Sequence, residues 1–351
     1  MKRKPARRKS KSVINRSTRK KLHRVLLVSS VFLLSLLFLF SFGFYKYLNQ
    51  NFASALSKSS YSLSDDNIPT VSYIVAEDFD SDPVVIKKVN FIIFDKDGKK
   101  VSIYNVPLDE NYAIPGKFGS EEFSKIFALG GLNSEDKLLS GSEAINRSLF
   151  KLFGFKVDKF VLIESTREEF FDRIWHEGGL FNFVSLKDIS DLSGSLVTDI
   201  DLREFYGLTS FIYSLPQDRV VDDINTPNCF CDTQSFDNTI RETTYGSDIS
   251  EEKKNIAILN GTNYSGLASF GSRVVANIGG RVIAVNNTEK FYDTSVIIAD
   301  DVNSKTVSFL SRVFNIPNVL SKEESRSFTE NEIDRSDVSV IFGFDTSGDL
   351  Y

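Results

Sequence analysis

The pattern of apolar and polar positions divides the chain into unequal parts. From Val25 to Tyr45 it reads VLLVSSVFLLSLLFLFSFGFY, without a charged residue. As a helix, a run of about 20 apolar residues crosses the roughly 30 Å hydrocarbon core of a bilayer. Arg24 and Lys46 bracket the run, and Tyr45 and Tyr47 fall where an interfacial aromatic belt lies. A cleaved signal peptide needs a shorter apolar core and a small-x-small site close behind it. The one candidate site, Ala53-Ser54-Ala55, lies well past the end of the run. The expectation is therefore an uncleaved anchor over residues 25–45. Residues 46–67 are polar and serine-rich and read as a stalk.

From Ile68 the periods of strands and helices take over. Thr70–Ile74 and Val84–Phe94 are rich in Val, Ile and Phe. Asp95-Lys96-Asp97-Gly98-Lys99 is a turn signal with Asp-Gly at its centre, and Val101–Val106 follows, which predicts a β-hairpin. Helices are predicted from Glu121 to Leu129, after Ser120 and ended by Gly130-Gly131, and from a cap at Ser142 through Phe153, stopped by Gly154. Then come a strand over Val157–Glu164, an amphipathic helix over Thr166–Trp175, and a helix over Leu202–Leu215 stopped by Pro216. Alternating strands and helices predict a layered α/β domain over residues 68–216. Residues 217–254 lose the pattern and read as a linker, with loop chemistry at Thr226-Pro227-Asn228 and Tyr245-Gly246-Ser247-Asp248.

Residues 255–345 are patterned throughout. A strand over Ile256–Asn260 leads through Gly261-Thr262-Asn263-Tyr264-Ser265-Gly266 into a helix over Leu267–Ile278. Leu267, Phe270, Val274, Val275 and Ile278 share one helical face, and Gly279-Gly280 ends the helix. Strands over Val282–Val285 and Thr294–Ala299, a helix over Ser304–Phe314 and a strand over Val338–Gly343 complete the order βαββαβ. That order favours a small sheet with both helices on one face. The fold class expected for the whole chain is α/β (α+β) behind a single transmembrane helix.

Charge sets the topology. The net charge of −5 combines +12 from residues 1–24, which carry no acid, with −17 from the remainder. By the positive-inside rule the basic tail stays in the cytoplasm and the C-terminal bulk is translocated, which makes this a single-pass cell-membrane protein. The acidic outer part has no basic run, which excludes nucleic acid as its partner. A nucleic-acid-binding regulator would have to rely on the tail, which is too short to fold alone. The two cysteines, Cys229 and Cys231, are too few for a disulfide framework, and a bridge across one residue is strained. With histidine only at His23 and His176, no zinc site is expected.

Candidate chemistry is sparse. The loop from Gly261 to Gly266 has the glycine spacing of a phosphate loop, but Leu267 stands where the lysine belongs, so nucleotide binding has no support. Asn260, Gly261, Thr262, Ser265 and Gly266 remain a candidate binding loop for an oxyanion or a glycan. The alternative is that Gly and Asn simply permit the tight turn. Asp65-Asp66, Asp222-Asp223 and Asp300-Asp301 lie beside turns and read as solvated loop charges. There is no G-x-S-x-G elbow. Asn146, Asn260, Asn263 and Asn286 each begin a glycosylation pattern.

The segment NIAILNGTNYSGLASFGSRVVANIGGRVIAVNN, with TSVIIADD and RSDVSVIFGFD after it, resembles the C-terminal domain of LytR–CpsA–Psr envelope proteins over about Asn255–Asp345. DKDGKKVSIYNVPLDENYAIPG, SKIFALGG and LVTDIDLREFYGLTSFIYSL resemble a diverged form of that family's catalytic domain. The resemblance implies transfer of glycopolymers from a polyprenyl-pyrophosphate lipid to the wall, with arginines on the pyrophosphate and acids holding magnesium. This chain departs from the pattern. Pro107-Leu108-Asp109 stands for a Pro-Arg-Asp motif, Lys125-Ile126-Phe127 for a Lys-Ile-Asn motif, and Lys88-Val89-Asn90 gives no clear counterpart of a Ser-Asp-Thr segment. Asp109 and Lys125 are the matching polar residues. The expectation is an envelope protein without transferase activity and without a cofactor, acting as a scaffold or binding module. Its partners would be wall glycan, a polyprenyl-linked lipid or an envelope protein. The alternative is a transferase using magnesium with Asp109 and Lys125 in a rearranged site, with Arg147 or Arg173 supplying the lost charge.

Overall fold

The computed structural model describes residues 16–48, 63, 68–114, 119–177, 192, 194–225, 233–244 and 248–346. Cys229, Cys231, Asp65, Asp66, the side chain of His176 and the Pro115-Gly116 pair lie outside the described residues. The chain forms two compact units, residues 1–50 and residues 51–351. The first is the helix α1 (Arg16–Leu48), in which Leu27–Lys46 is long and apolar enough to cross a membrane. Its large side chains, among them Leu33, Phe38 and Phe40, are exposed, which suits a lipid solvent and not a water-soluble surface.

The second unit is built on two sheets. The six-stranded sheet uses β1 (Thr70–Ala76), β2 (Ile86–Asp95), β3 (Lys100–Asn105), β6 (Lys159–Glu164), β7 (Leu196–Thr198) and β8 (Val220–Asn225), in the order β7-β6-β1-β2-β3-β8. The predicted hairpin is β2–β3, and Gly98 N–H donates to Asp95 Oδ1 at 2.8 Å inside its turn. One sheet face presents Ile74, Phe91, Ile93, Tyr104 and Leu162 to a core. That core is closed by α2 (Ile126–Gly131), α3 (Lys137–Phe153) and α6 (Thr233–Thr244), which insert Phe127, Leu149, Phe153, Phe236 and Ile240. The opposite face is covered in part by α4 (Glu168–Glu177) and α5 (Leu202–Ser214), where Phe171 meets Tyr73 and Phe211 meets Phe94.

Three expectations need correction. The helix expected from Glu121 starts at Ile126, because Ser120–Glu122 forms a strand, β5, paired with β4 (Asn111–Ala113). A 3₁₀ turn, Phe123–Lys125, joins the two. Ser142 is not a cap but a buried residue inside α3, and its Oγ donates to the Leu138 carbonyl. The cap is Asp136, whose carboxylate accepts from Leu139 N–H at 3.0 Å, while left-handed Gly154 ends the helix at φ 58° as expected. Residues 217–254, expected as a linker, instead contribute β8 as an edge strand against β3 and α6 to the core.

The second sheet has five strands in the order β10-β9-β13-β11-β12, from β9 (Asn255–Asn260), β10 (Arg281–Asn287), β11 (Val296–Ala299), β12 (Val319–Ser321) and β13 (Val338–Phe342). Its two main helices, α8 (Leu267–Asn277) and α9 (Lys305–Val313), lie on one face as expected, sharing a core with Ile256, Ile258, Ile297 and Val340. The short β12 and the short helix α10 (Asn331–Arg335) were not expected. The small helix α7 (Asp248–Glu252) precedes β9, and its Glu252 carboxylate accepts from Lys305 N–H and Thr306 N–H at the start of α9.

The two sheets meet through α8 and the C-terminal end of α3. Arg273 Nε donates to both oxygens of Asp237, at 2.7 and 3.0 Å. Its two terminal nitrogens donate to the carbonyls of Lys151 and Leu152, and Asn277 Nδ2 donates to that of Phe153. These are carbonyls that a helix end leaves without intrahelical partners.

Candidate functional site

The part of the six-stranded sheet's second face that no described element covers holds a cavity of about 370 Å³ between the sheet and α4. Strand register decides what lines it. Val161, Tyr73, Asn90 and Asn105 stand in one row across β6, β1, β2 and β3. In the next row Val71, Ile92 and Ile103 face the same way, because side chains alternate along a strand. An apolar row thus lies beside a row of amides and a phenol. Phe171 and Asp172 of α4, Lys88 of β2 and the exposed Asp222 of β8 complete the wall.

The polar groups are only partly satisfied by one another. The Tyr73 hydroxyl donates to Asp172 Oδ1 at 3.0 Å. Burial, with the charges of Asp172 and Glu168, pushes its ionisation far above the usual phenol range, so it remains a donor. Lys88 Nζ sits 3.0 Å from Glu168 Oε1 and 5.5 Å from the centre of the Tyr73 ring. Asn90 is 7% exposed and its Oδ1 has no hydrogen-bond partner. A buried amide oxygen without a partner costs about 1–3 kcal/mol, so a donor arriving in the cavity would recover that energy. The sequence signal that singles this position out is one amide inside the apolar run VNFIIF.

Asp109 and Lys125 fall elsewhere, on neighbouring segments. Ser124 N–H donates to the Leu108 carbonyl at 2.9 Å and Phe123 N–H to that of Glu110 at 3.0 Å. Asp109 is exposed, and Leu108 is partly buried against the first core. Lys125 Nζ lies 3.4 Å from Glu121 and 3.5 Å from Glu122, which raise its pKa. Among the described residues no group of three or more His, Cys, Asp or Glu side chains is placed to hold a metal ion. Magnesium takes several oxygen ligands, and Asp109 is one exposed carboxylate.

The candidate loop lies at the edge of the second sheet, beside a groove of about 520 Å³. Asn260 Oδ1 accepts from the Thr262 N–H and hydroxyl, Asn260 Nδ2 donates to the Tyr264 carbonyl, and Thr262 Oγ1 accepts from Tyr264 N–H. Two backbone amides that a phosphate loop would offer are therefore used inside the turn. Gly261 is required by close approach, since a Cβ there would lie 2.7 Å from the Phe342 carbonyl oxygen and 2.8 Å from the Tyr292 ring. Gly266 starts α8 with φ 88°. Ser265 and Gly266 line the groove, and Asn260 and Thr262 reach it from buried positions.

The class these observations define is a mixed α/β chain behind one apolar helix. No protein-family model matches it, and no curated protein sequence does. Among solved structures it is similar to TagV of B. subtilis, at 10% identity and TM-score 0.37, over 50% of this chain and 97% of that one. It is also similar to a LytR-CPS2A-psr family protein, YwtF (TagT), with bound octaprenyl pyrophosphate lipid, at 15% identity and TM-score 0.35, over 54% of this chain and 98% of that one. A third is TagT bound to LI-WTA, at 15% identity and TM-score 0.33, over 48% of this chain and 82% of that one. At these identities and TM-scores the likeness says nothing of the site or its chemistry.

Proposed function

We propose that this chain is a membrane-anchored cell-envelope protein whose outer part holds a lipid-linked or wall glycan without transferring it. The observation that carries this is the charge of the sheet-face cavity. A pyrophosphate being broken needs cations on its oxygens, and arginine suits them best. Among the described lining residues there is no arginine, and Lys88 is already engaged by Glu168, beside Asp172 and Asp222. Leu108, which the resemblance sets at the arginine position, packs on the core. An apolar row beside a row of amides suits a neutral amphipathic ligand, such as an isoprenoid chain carrying a sugar, and the volume lies within the roughly 300–1,000 Å³ of small-ligand sites. The sequence resemblance and the apolar helix support the envelope location.

The test uses the full chain in lipid nanodiscs, titrated with a neutral polyprenyl glycoside and, separately, with a polyprenyl-pyrophosphate-linked glycan with and without magnesium while released polyprenyl phosphate is measured. The expected result is saturable binding of the neutral glycoside, weakened at least tenfold by Ile103→Trp, with no release from the pyrophosphate-linked glycan. Magnesium-dependent release abolished by Asp109→Ala would establish the transferase reading instead. Absence of binding would refute the cavity as a lipid-glycan site.

A further inference from the structure

We propose that the groove between the Asn260–Gly266 loop and the end of β10 is a second saccharide site, one that takes uncharged sugar units. Among its described lining residues there is no carboxylate, ammonium or guanidinium group, although Asn286 Nδ2 donates to the Glu332 carboxylate behind it at 2.6 Å. The lining is made of Asn263, Tyr264, Ser265, Ser269, Asn286 and Asn287 with backbone and apolar neighbours. Amides and hydroxyls both donate and accept, as sugar hydroxyls and N-acetyl groups require. An anion is a poor occupant, because no cation lines the groove and the Thr262 and Tyr264 amides are used within the turn.

A second, independent feature points the same way. Tyr264, on the groove wall, leads into a ridge of exposed aromatic rings. Its ring centre lies 6.2 Å from that of Phe344, which lies 5.9 Å from that of Phe291. The three are 41%, 37% and 68% exposed. Apolar rings held in water beside a polar groove mark a contact site, and the C–H face of a pyranose packs on such rings while its hydroxyls reach the amides. The backbone under the ridge is tied to the loop by hydrogen bonds. Gly261 N–H donates to the Phe342 carbonyl, Tyr292 N–H to that of Gly261, and Phe344 N–H to that of Tyr292. Both Phe segments are thus fixed to the loop, which reduces the ordering entropy of binding.

The inference shares with the function proposed above only the envelope source of the glycan, and it stands or falls separately. The full chain in nanodiscs is titrated calorimetrically with N-acetylchitotetraose, maltotetraose and inorganic phosphate. Saturable binding of at least one saccharide is expected, weakened tenfold or more by Phe291→Ala and at least threefold by Asn287→Ala. Both positions are exposed, and unchanged thermal unfolding of the two variants would confirm that they fold. Ile103→Trp, in the other cavity, should leave saccharide binding intact, so a failed sheet cavity and a failed groove give different patterns. The proposal is overturned if neither saccharide binds, if both groove variants bind as tightly as the wild type, or if phosphate binds and the sugars do not.

Discussion

Replacing Arg273 with methionine tests how the two sheets are held together. Methionine keeps the apolar stem and deletes the guanidinium. The structure shows four hydrogen bonds lost: two to Asp237 at 2.7 and 3.0 Å, one to the Lys151 carbonyl at 2.7 Å and one to the Leu152 carbonyl at 2.6 Å. The side chains of Arg273 and Asp237 are 17% and 11% exposed, so water replaces the lost partners poorly. Breaking a buried ion pair from one side costs about 3–5 kcal/mol, and each uncapped carbonyl adds up to about 1 kcal/mol. These terms share atoms and do not add fully, so a loss of about 4 kcal/mol is expected, against the roughly 5–15 kcal/mol that holds a typical domain.

The assay is urea unfolding of the full chain in detergent micelles, followed by far-ultraviolet circular dichroism. A double-mutant cycle with Asp237→Asn isolates the pair, and a coupling of about 1.5 kcal/mol or more is expected. Asp237→Asn keeps a side-chain oxygen that can accept from Arg273 and Asn277 and leaves both carbonyls capped, so this single variant should be milder than the Arg273 variant. A loss below about 1 kcal/mol for Arg273→Met, or strict additivity in the cycle, would refute the claim that this joint makes residues 51–351 one unit.

Burial pushes the Asp199 carboxyl up to about 6 from 3.8, against the opposing Phe160 amide and Lys159 charge. Its stabilising contribution is therefore complete below pH 3.8 and is lost as pH rises through about 6. Asp199→Asn should remove that dependence, so its stability relative to the wild type rises by ~2 kcal/mol between pH 4 and pH 7.5; parallel denaturation profiles would contradict this. Gly261→Ala should cost about 1–3 kcal/mol, because the new methyl meets the Phe342 carbonyl and the Tyr292 ring, and a melting temperature within a degree of the wild type would show that the loop yields. Leu108→Arg should lower stability by about 1 kcal/mol through lost core contact and gain no polymer release in the nanodisc assay, whereas release in this variant would show that only the arginine was missing.

Much of the fold was legible because local and long-range preferences agreed. Asp97-Gly98 marks its turn, and Gly154 and Gly279 end helices in the left-handed conformation that glycine favours. In the second sheet, strands that read as unbroken apolar runs are buried on both faces, as in β11. Where the reading missed, tertiary pairing prevailed. Ser120-Glu121-Glu122 has a helix-start composition, yet it pairs with Asn111–Ala113. The edge strand VVDDIN is one-third acidic, and its place is fixed by pairing with β3, which no local pattern announces. The sheet-face cavity was illegible for the same reason. Tyr73, Asn90 and Asn105 become neighbours only through the register of three strands.

The proposed holding role follows from where four of the described cations lie. Arg147 lies exposed on α3, the helix that covers the core face of the six-stranded sheet, while the cavity opens on the other face. Arg173 follows Asp172 on α4, but its exposed guanidinium stacks 5.3 Å over the Phe170 ring. One residue of helix turns a side chain by about 100°, so Asp172 facing the cavity points Arg173 away from it. Lys125 is held by two glutamates, and Lys88 by a third. To serve a pyrophosphate, Lys88 and Lys125 would have to break existing pairs, Arg147 would have to cross the sheet and Arg173 would have to leave its ring. A neutral sugar or isoprenoid asks for none of these changes. It needs only the apolar row, the unpartnered Asn90 oxygen and the amides already lining the wall.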